Sequence, residues 1–279
     1  MITEDIVDGL SASSMMNMEI DMDDYFQHGV LYCGKCHTPK QCQIGYHGKV
    51  LTFACMCKCQ QEKKEAEDRK AEEIRHHMHI EQLRASAMPD SILRDWNFKN
   101  DDGGNEKISS IARKYVDHFD EMRNRGKGLL LHGGVGTGKS FTAACIVNAL
   151  VDQEHPCLMV SISQLVNAFM NKNYTKEQML DMFDGYHLVV LDDLASERDT
   201  EFMDEMVQSI VDKLYRSGKP VIVTTNLTGE ELKNPVDIKK QRLYSRLLEM
   251  CIPVEVEGTD RRKEKLKKDY KDLEEVLGL

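Results

Sequence analysis

From Met88 onward the apolar residues fall into short dense runs separated by longer amphipathic stretches. The clearest runs are 128–132 (GLLLH), 156–161 (PCLMVS), 187–191 (HLVVL) and 220–225 (PVIVTT). They are almost uniformly apolar rather than alternating, the pattern of strands buried on both faces of a parallel sheet. Apolar spacing predicts helices over 139–153, 163–171, 199–217 and 239–250. Strands that alternate with helices predict a doubly wound α/β domain. A charged helix is expected after residue 257, and no internal repeat is visible.

The chain before Met88 reads differently. Residues 61–87 carry alternating charges and predict a solvated linker helix, with Glu65 and Arg69 forming a favourable i,i+4 pair. Residues 31–60 are rich in cysteine, and Gly34, Gly45 and Gly48 mark turns. Residues 1–30 are acidic and Met-rich, with weak helical patterning. The expected domains are therefore 1–60, an acidic segment with a Cys-rich part; 61–87, the linker helix; and 88–279, the α/β domain.

Composition narrows the class. The chain has 279 residues, of which 41% are hydrophobic and 30% charged, enough for at least one well-buried core. This balance excludes a collagen-like or mostly disordered protein. No apolar run reaches the roughly 18 residues that span a bilayer. The first residues carry acids where a secretion signal carries Lys or Arg. A soluble, cytoplasmic protein with no membrane partner is expected. Net charge is −10, but residues 1–30 hold seven acids and no Lys or Arg. The remainder carries only −3, so a nucleic-acid-binding face stays compatible with the acidic total.

Residues 133–140 read Gly-Gly-Val-Gly-Thr-Gly-Lys-Ser and satisfy G-x-x-x-x-G-K-[ST] between a predicted strand and a predicted helix. Small residues let the backbone curl so that successive N–H groups point at phosphate oxygens. The following helix turns its positive end to the same anion. Lys139 reaches the β and γ phosphates, and the Ser140 hydroxyl is a Mg²⁺ ligand. Phe141, the next residue of the helix, is counted with the nucleotide-binding residues. Downstream, the apolar run 188–191 ends in Asp192-Asp193, at the strand end where ligands bind in open α/β sheets. Asp192 is assigned to the Mg²⁺ shell and Asp193 to the attacking water. Asn226, at the tip of the run 220–225, either holds that water or begins the turn 226–229. Arg242 and Arg246 share one helical face. They either reach a neighbouring subunit's site or pair with surface acids.

Six of the nine cysteines (Cys33, Cys36, Cys42, Cys55, Cys57 and Cys59) fall within 27 residues. Cys33 and Cys36 form a C-x₂-C knuckle, and Cys55, Cys57 and Cys59 offer a second edge. In a cytosolic chain such a cluster binds metal rather than forming disulfides, and thiolates favour Zn²⁺. His37 and His47 compete as ligands.

The strings GLLLHGGVGTGKSFTAACIVNAL, LVVLDDL, TTN, RLYSRL and DRRKEK together resemble the AAA+ ATPase of bacterial replicative-helicase loaders (DnaC/DnaI type) and their transposition relatives (IstB type). The resemblance covers about residues 88–265. It implies an AAA+ P-loop NTPase with a central parallel sheet, preceded by a small zinc-binding helical N-terminal domain. It implies ATP hydrolysis with Mg²⁺. Gly133, Gly134, Val135, Gly136, Thr137, Gly138, Lys139 and Ser140 become Walker A, Asp192 and Asp193 Walker B, and Asn226 sensor I. Many family members carry Glu where this chain has Asp193. Arg246 is the implied arginine finger acting in trans, with Arg242 second. Arg261 is the implied sensor II, with Arg262 competing. Trp96 and Phe98 match the position that packs adenine, or they are ordinary core aromatics. The string CKCQ before a charged helix resembles the end of this domain in phage and Gram-positive loaders, and that resemblance implies Cys33, Cys36, Cys57 and Cys59 as zinc ligands, with Cys55 the main rival. Implied partners are a replicative DNA helicase, single-stranded DNA and further copies of the chain through the ATPase domain. The rival functions are an IstB-type transposition helper and a zinc adaptor whose nucleotide site turns over negligibly.

Overall fold

A computed structural model describes residues 20–170, 175–195, 201–235 and 237–277. Its internal contacts divide the chain into two units, Met1–Met78 and His79–Leu279.

In the first unit, β1 (Tyr25–Gln27) pairs antiparallel with β2 (Val30–Tyr32), and β3 (Gln41–Tyr46) with β4 (Lys49–Ala54). His28-Gly29 and His47-Gly48 close the two hairpins, all four residues with positive φ. That is the backbone of the tight turns whose twist matches paired strands. The Cys-rich segment, expected to be helical, is thus built of hairpins, and helix begins only with α1 (Lys58–Ala87). Lys40, 1% exposed, ties the segment together through Asp24 (2.5 Å) and Asp21 (3.1 Å). Asp24 also accepts from the Gly34 N–H, and the Lys40 ammonium holds its carboxyl below the usual range. The weak helical patterning expected over residues 1–19 lies outside the described residues.

The second unit contains the end of α1 and α2 (Ser91–Arg94), α3 (Glu106–Asp117), α4 (Phe119–Arg125), β5 (Gly128–His132), α5 (Lys139–Asp152), β6 (Cys157–Ser161), α6 (Ile162–Met170) and α7 (Lys176–Asp181). It continues through β7 (Leu188–Leu194), α8 (Glu201–Ser217), β8 (Val221–Thr225), α9 (Gly229–Lys233), α10 (Ile238–Met250), β9 (Cys251–Glu255) and α11 (Arg261–Leu277). The sheet order is β6-β7-β8-β5-β9, and every pair is parallel. Side chains alternate between two apolar layers. Leu129 and Leu131 enter one, Leu130 the other. Burial on both faces explains why these strands read as continuous apolar runs. The predicted helix positions 171, 199 and 200 lie outside the described residues.

Strand β9 was not among the predicted elements. Its sequence CIPVE is short, and Pro253 argues against a central strand. The structure places it at the sheet edge, where a missing N–H costs no ladder bond. Among the described residues, no helix is long and apolar enough to cross a membrane.

Candidate functional site

The loop between β5 and α5 depends on glycine at defined points. Gly133, Gly136 and Gly138 all have positive φ. A Cβ on Gly133 would lie 2.6 Å from the Val256 carbonyl oxygen, and one on Gly136 would collide with the Asp260 carboxylate. Gly138 caps α5 and offers no side-chain acceptor, so the first-turn N–H groups are left for an anion. Thr137 Oγ1 donates to the Gly134 carbonyl at 3.0 Å and braces the curl. Lys139 is 7% exposed and donates to the carbonyls of Gly133 (3.0 Å) and Gly134 (2.6 Å). Burial lowers its pKa, and Asp193 and Asp192 oppose that shift.

A cavity of about 500 Å³ opens above this loop. Val135, Gly136, Gly138, Lys139, Ser140 and Phe141 line one side of it. Asp192, Asp193, Asn226, Arg261 and Arg262 line the other. The size suits one nucleotide. Gly133, Gly134 and Thr137 shape the loop from behind.

The acidic pair sits at a bulge where the β7–β8 register shifts between Leu191 and Leu194. Asp193 has φ +59°, a conformation uncommon outside glycine. Thr224 on β8 supports both acids. Its hydroxyl donates to Asp192 Oδ1 (2.7 Å) and accepts from the Asp193 N–H (2.8 Å). Asn226 Nδ2 donates to Asp193 Oδ1 at 3.2 Å. The bulge and these bonds give the two acids different partners, Thr224 for the Asp192 carboxylate and Asn226 for that of Asp193.

Arg261 reaches the cavity from the start of α11. Its backbone N–H donates to the Gly136 carbonyl (3.1 Å), and its guanidinium pairs with Asp102 (3.1 Å). Arg246 is placed elsewhere. It pairs with Asp212 on α8 and lies 5.8 Å from the Tyr215 ring centroid. Arg242 is exposed. Neither lines this chain's own cavity. Trp96 lines it, whereas Phe98 lies beneath Arg113, with 4.5 Å between guanidinium carbon and ring centroid. Phe98 therefore does not belong with Trp96 as a wall of the cavity.

In the first unit, the thiols of Cys33, Cys36, Cys57 and Cys59 lie within 4.8 Å of one another. Four sulfurs around one zinc stand about 3.8 Å apart, so the spacing fits a tetrahedral thiolate site. The Thr38 hydroxyl and the Cys59 N–H hold the Cys36 pKa down at about 5. The hydrogen bond with Cys36 pushes Cys59 up to about 12. The rival donors lie outside the group. Cys55 donates to the Pro39 carbonyl at 3.6 Å, Cys42 faces Phe53 across the hairpin, His37 bonds the Tyr25 hydroxyl at 3.2 Å, and His47 is at a hairpin tip.

Three cavity residues were not singled out from the sequence: Thr224, Asp102 and Asn100. Thr224 carried the clearest signal, a hydroxyl one strand over from the acidic pair, within the string TTN.

A family model described as IstB-like ATP binding protein matches residues 59–269. The replicative helicase loader DnaI of Bacillus subtilis (strain 168) is 24% identical over 252 residues, covering 82% of this chain and 78% of that protein. The replicative helicase loader DnaC of Escherichia coli (strain K12) is 27% identical over 140 residues. That match covers 49% of this chain and 56% of the relative's length. A crystal structure of the DnaC helicase loader superposes with a TM-score of 0.52 at 20% identity, covering 60% of this chain and 100% of that one. This last likeness establishes the shared fold.

Proposed function

The chain belongs to the IstB-like ATP-binding family, and from that premise we propose that it is an ATP-dependent loader that binds a replicative DNA helicase and places it on single-stranded DNA. The observation that carries the reading is the four-thiol cluster of the first unit in a chain whose second unit has a cavity lined by the phosphate loop and the acidic pair. The second unit holds 201 of the 279 residues, so the DnaI alignment, at 82% of the chain, runs into the first unit. A transposition helper of the IstB type usually lacks such a segment.

The cavity fits a triphosphate with Mg²⁺ on its donor set: uncapped helix N–H groups, one buried lysine and a carboxylate opposite a hydroxyl. Ser140 and Asp192 would hold the metal, which would supply positive charge against the phosphates. Lys139 exchanges the carbonyls of Gly133 and Gly134 for phosphate oxygens. Asp193, steadied by Asn226, orients the attacking water. Arg261 leaves Asp102 for phosphate. Arg246 serves a neighbouring subunit by exchanging Asp212 for the transferring phosphate, with Arg242 as the rival donor. Cys33, Cys36, Cys57 and Cys59 hold Zn²⁺, and the unit it stabilises grips the helicase.

The test mixes full-length protein with a purified hexameric helicase and single-stranded DNA circles. An ATP-dependent ternary complex, and helicase left on the circles afterwards, are expected. Recovery of a transposase from lysate in place of helicase would favour the transposition helper. Steady-state ATPase rates separate the remaining rival. Wild type should exceed Asp193→Asn by about 100-fold, in the range of other positioned acid–base groups, whereas equally slow rates would identify a nucleotide-gated switch.

A further inference from the structure

Trp96 is the chain's one tryptophan, and it lines the cavity as the aromatic wall against which a base would pack. It does not stand there by apolar packing alone. Asn148 lies on α5, two turns beyond the phosphate loop, and is 1% exposed. Its Nδ2 donates to the carbonyl of Trp96 (2.8 Å) and to that of Leu93 (3.1 Å). Its Oδ1 accepts from Arg84 Nη1 at 2.5 Å. Arg84, in the last turn of α1, is held by Asp152 (2.6 Å) and Glu81 (3.2 Å). Phe141 completes the wall, its ring centroid 5.9 Å from that of Trp96. One helix therefore carries the lysine of the phosphate loop at 139, an aromatic neighbour of the wall at 141 and the buried amide behind the wall at 148.

We propose that Asn148 is the positioning residue for the base end of the nucleotide cavity, with Arg84 clamping its amide in the donating orientation. This inference rests on the nucleotide reading above. A helix is rigid over two turns, so Asn148 fixes the separation between the aromatic wall and the phosphate cradle. The guanidinium takes the amide oxygen, which leaves both N–H groups for the two carbonyls of segment 93–96. A buried amide satisfied on both ends specifies one arrangement, and losing it leaves carbonyls without donors. The chemical consequence is selective. A ligand with a planar base gains from the placed wall, and a bare polyphosphate does not touch it.

Calorimetric titration of full-length protein with ATP and with inorganic triphosphate separates the two ends. Wild type should bind both, and ATP alone should change the Trp96 fluorescence. In Asn148→Ala the ATP Kd should rise about tenfold, the effect of losing one or two net hydrogen bonds. The triphosphate Kd should move less than about twofold, and the ATP-induced fluorescence change should shrink. Arg84→Met keeps the Asn148 amide but removes the clamp that holds its two donated bonds in place. It should show the same selective loss at about threefold, the share of one clamp bond. It also carries the test if Asn148→Ala melts below the assay temperature. A parallel weakening of both ligands, or no change in either, would overturn the role of Asn148. Wild type that binds neither ligand would remove the nucleotide reading, and this inference with it.

Discussion

Thr224 shows how one hydroxyl organises two charges. It donates to Asp192 and accepts from the Asp193 N–H, so both acids keep their directions with a single side chain. Thr224→Val preserves the branched shape but orphans a donor and an acceptor. It should cost about 1–3 kcal/mol of stability and lower ATP turnover at least tenfold, roughly what a displaced general-base group costs. Melting curves and steady-state turnover at saturating ATP check both effects. A turnover matching wild type would show that the acids are held some other way. Lys139 and Asp192 are legible in the sequence because their motif encodes a backbone shape together with a strand end. Thr224 is legible only as a hydroxyl within the string TTN, and its role is not, because its partners lie 31 and 32 residues away. Of the two roles open to Phe98, the structure gives it that of a core aromatic, and the sequence left the choice open for a related reason. It stands two positions after Trp96, yet its ring faces Arg113.

At the scale of elements, glycine geometry links the phosphate loop to α11. Gly136 has φ +77°, packs against Asp260 and accepts from the Arg261 N–H. Gly136→Ala should weaken ATP binding by about tenfold or more, because positive φ strains a Cβ and Asp260 must move. Unchanged affinity in a binding titration would contradict the observed packing. The hairpins of the first unit make a second case. Period-two alternation is present in QCQIGY but absent from its partner KVLTFA, and the turn signal is His-Gly rather than Asn-Gly. These hairpins bring Cys33 and Cys36 against Cys57 and Cys59. The preparation should contain one zinc per chain by metal analysis. Cys57→Ser should lose it and melt the unit, since metal supplies much of the folding free energy of so small a segment. Cys42→Ser should retain it, as that thiol lies outside the cluster. Equal zinc loss in both variants would mean a different ligand set.

Over the whole molecule, three imidazoles set an acid limit. His132, on β5 behind the phosphate loop, is 7% exposed and its Nδ1 has no partner among the described residues. His155 and His187 face each other with 3.1 Å between their Nδ1 atoms. Burial lowers all three pKa values from the ordinary 6.5. The unfolded chain takes up these protons near pH 6.5, and the folded chain only at lower pH. The unfolded state therefore binds more protons in that interval, and stability falls as the pH drops through it. Below the folded-state values both states are protonated and the loss stops. Melting temperature should decline between about pH 7.5 and 5.5, and replacing all three histidines with Gln should flatten the decline. A slope unchanged by the replacements would assign the acid sensitivity to other groups.

The amino-acid sequence alone determined whatever a few consecutive residues can encode. Those features are the buried parallel strands, the glycine curl before Lys139, the acids ending β7 and the paired thiols. Each follows from local sterics or from one-dimensional spacing. Tertiary structure decided the rest: the edge position of β9, the bridging hydroxyl of Thr224, the hold of Asp102 on Arg261 and of Asp212 on Arg246, and the amide behind Trp96. These depend on which distant side chain fills the space and satisfies the charge beside each group. Packing and hydrogen-bond satisfaction act between neighbours in space, and chain order does not specify those neighbours.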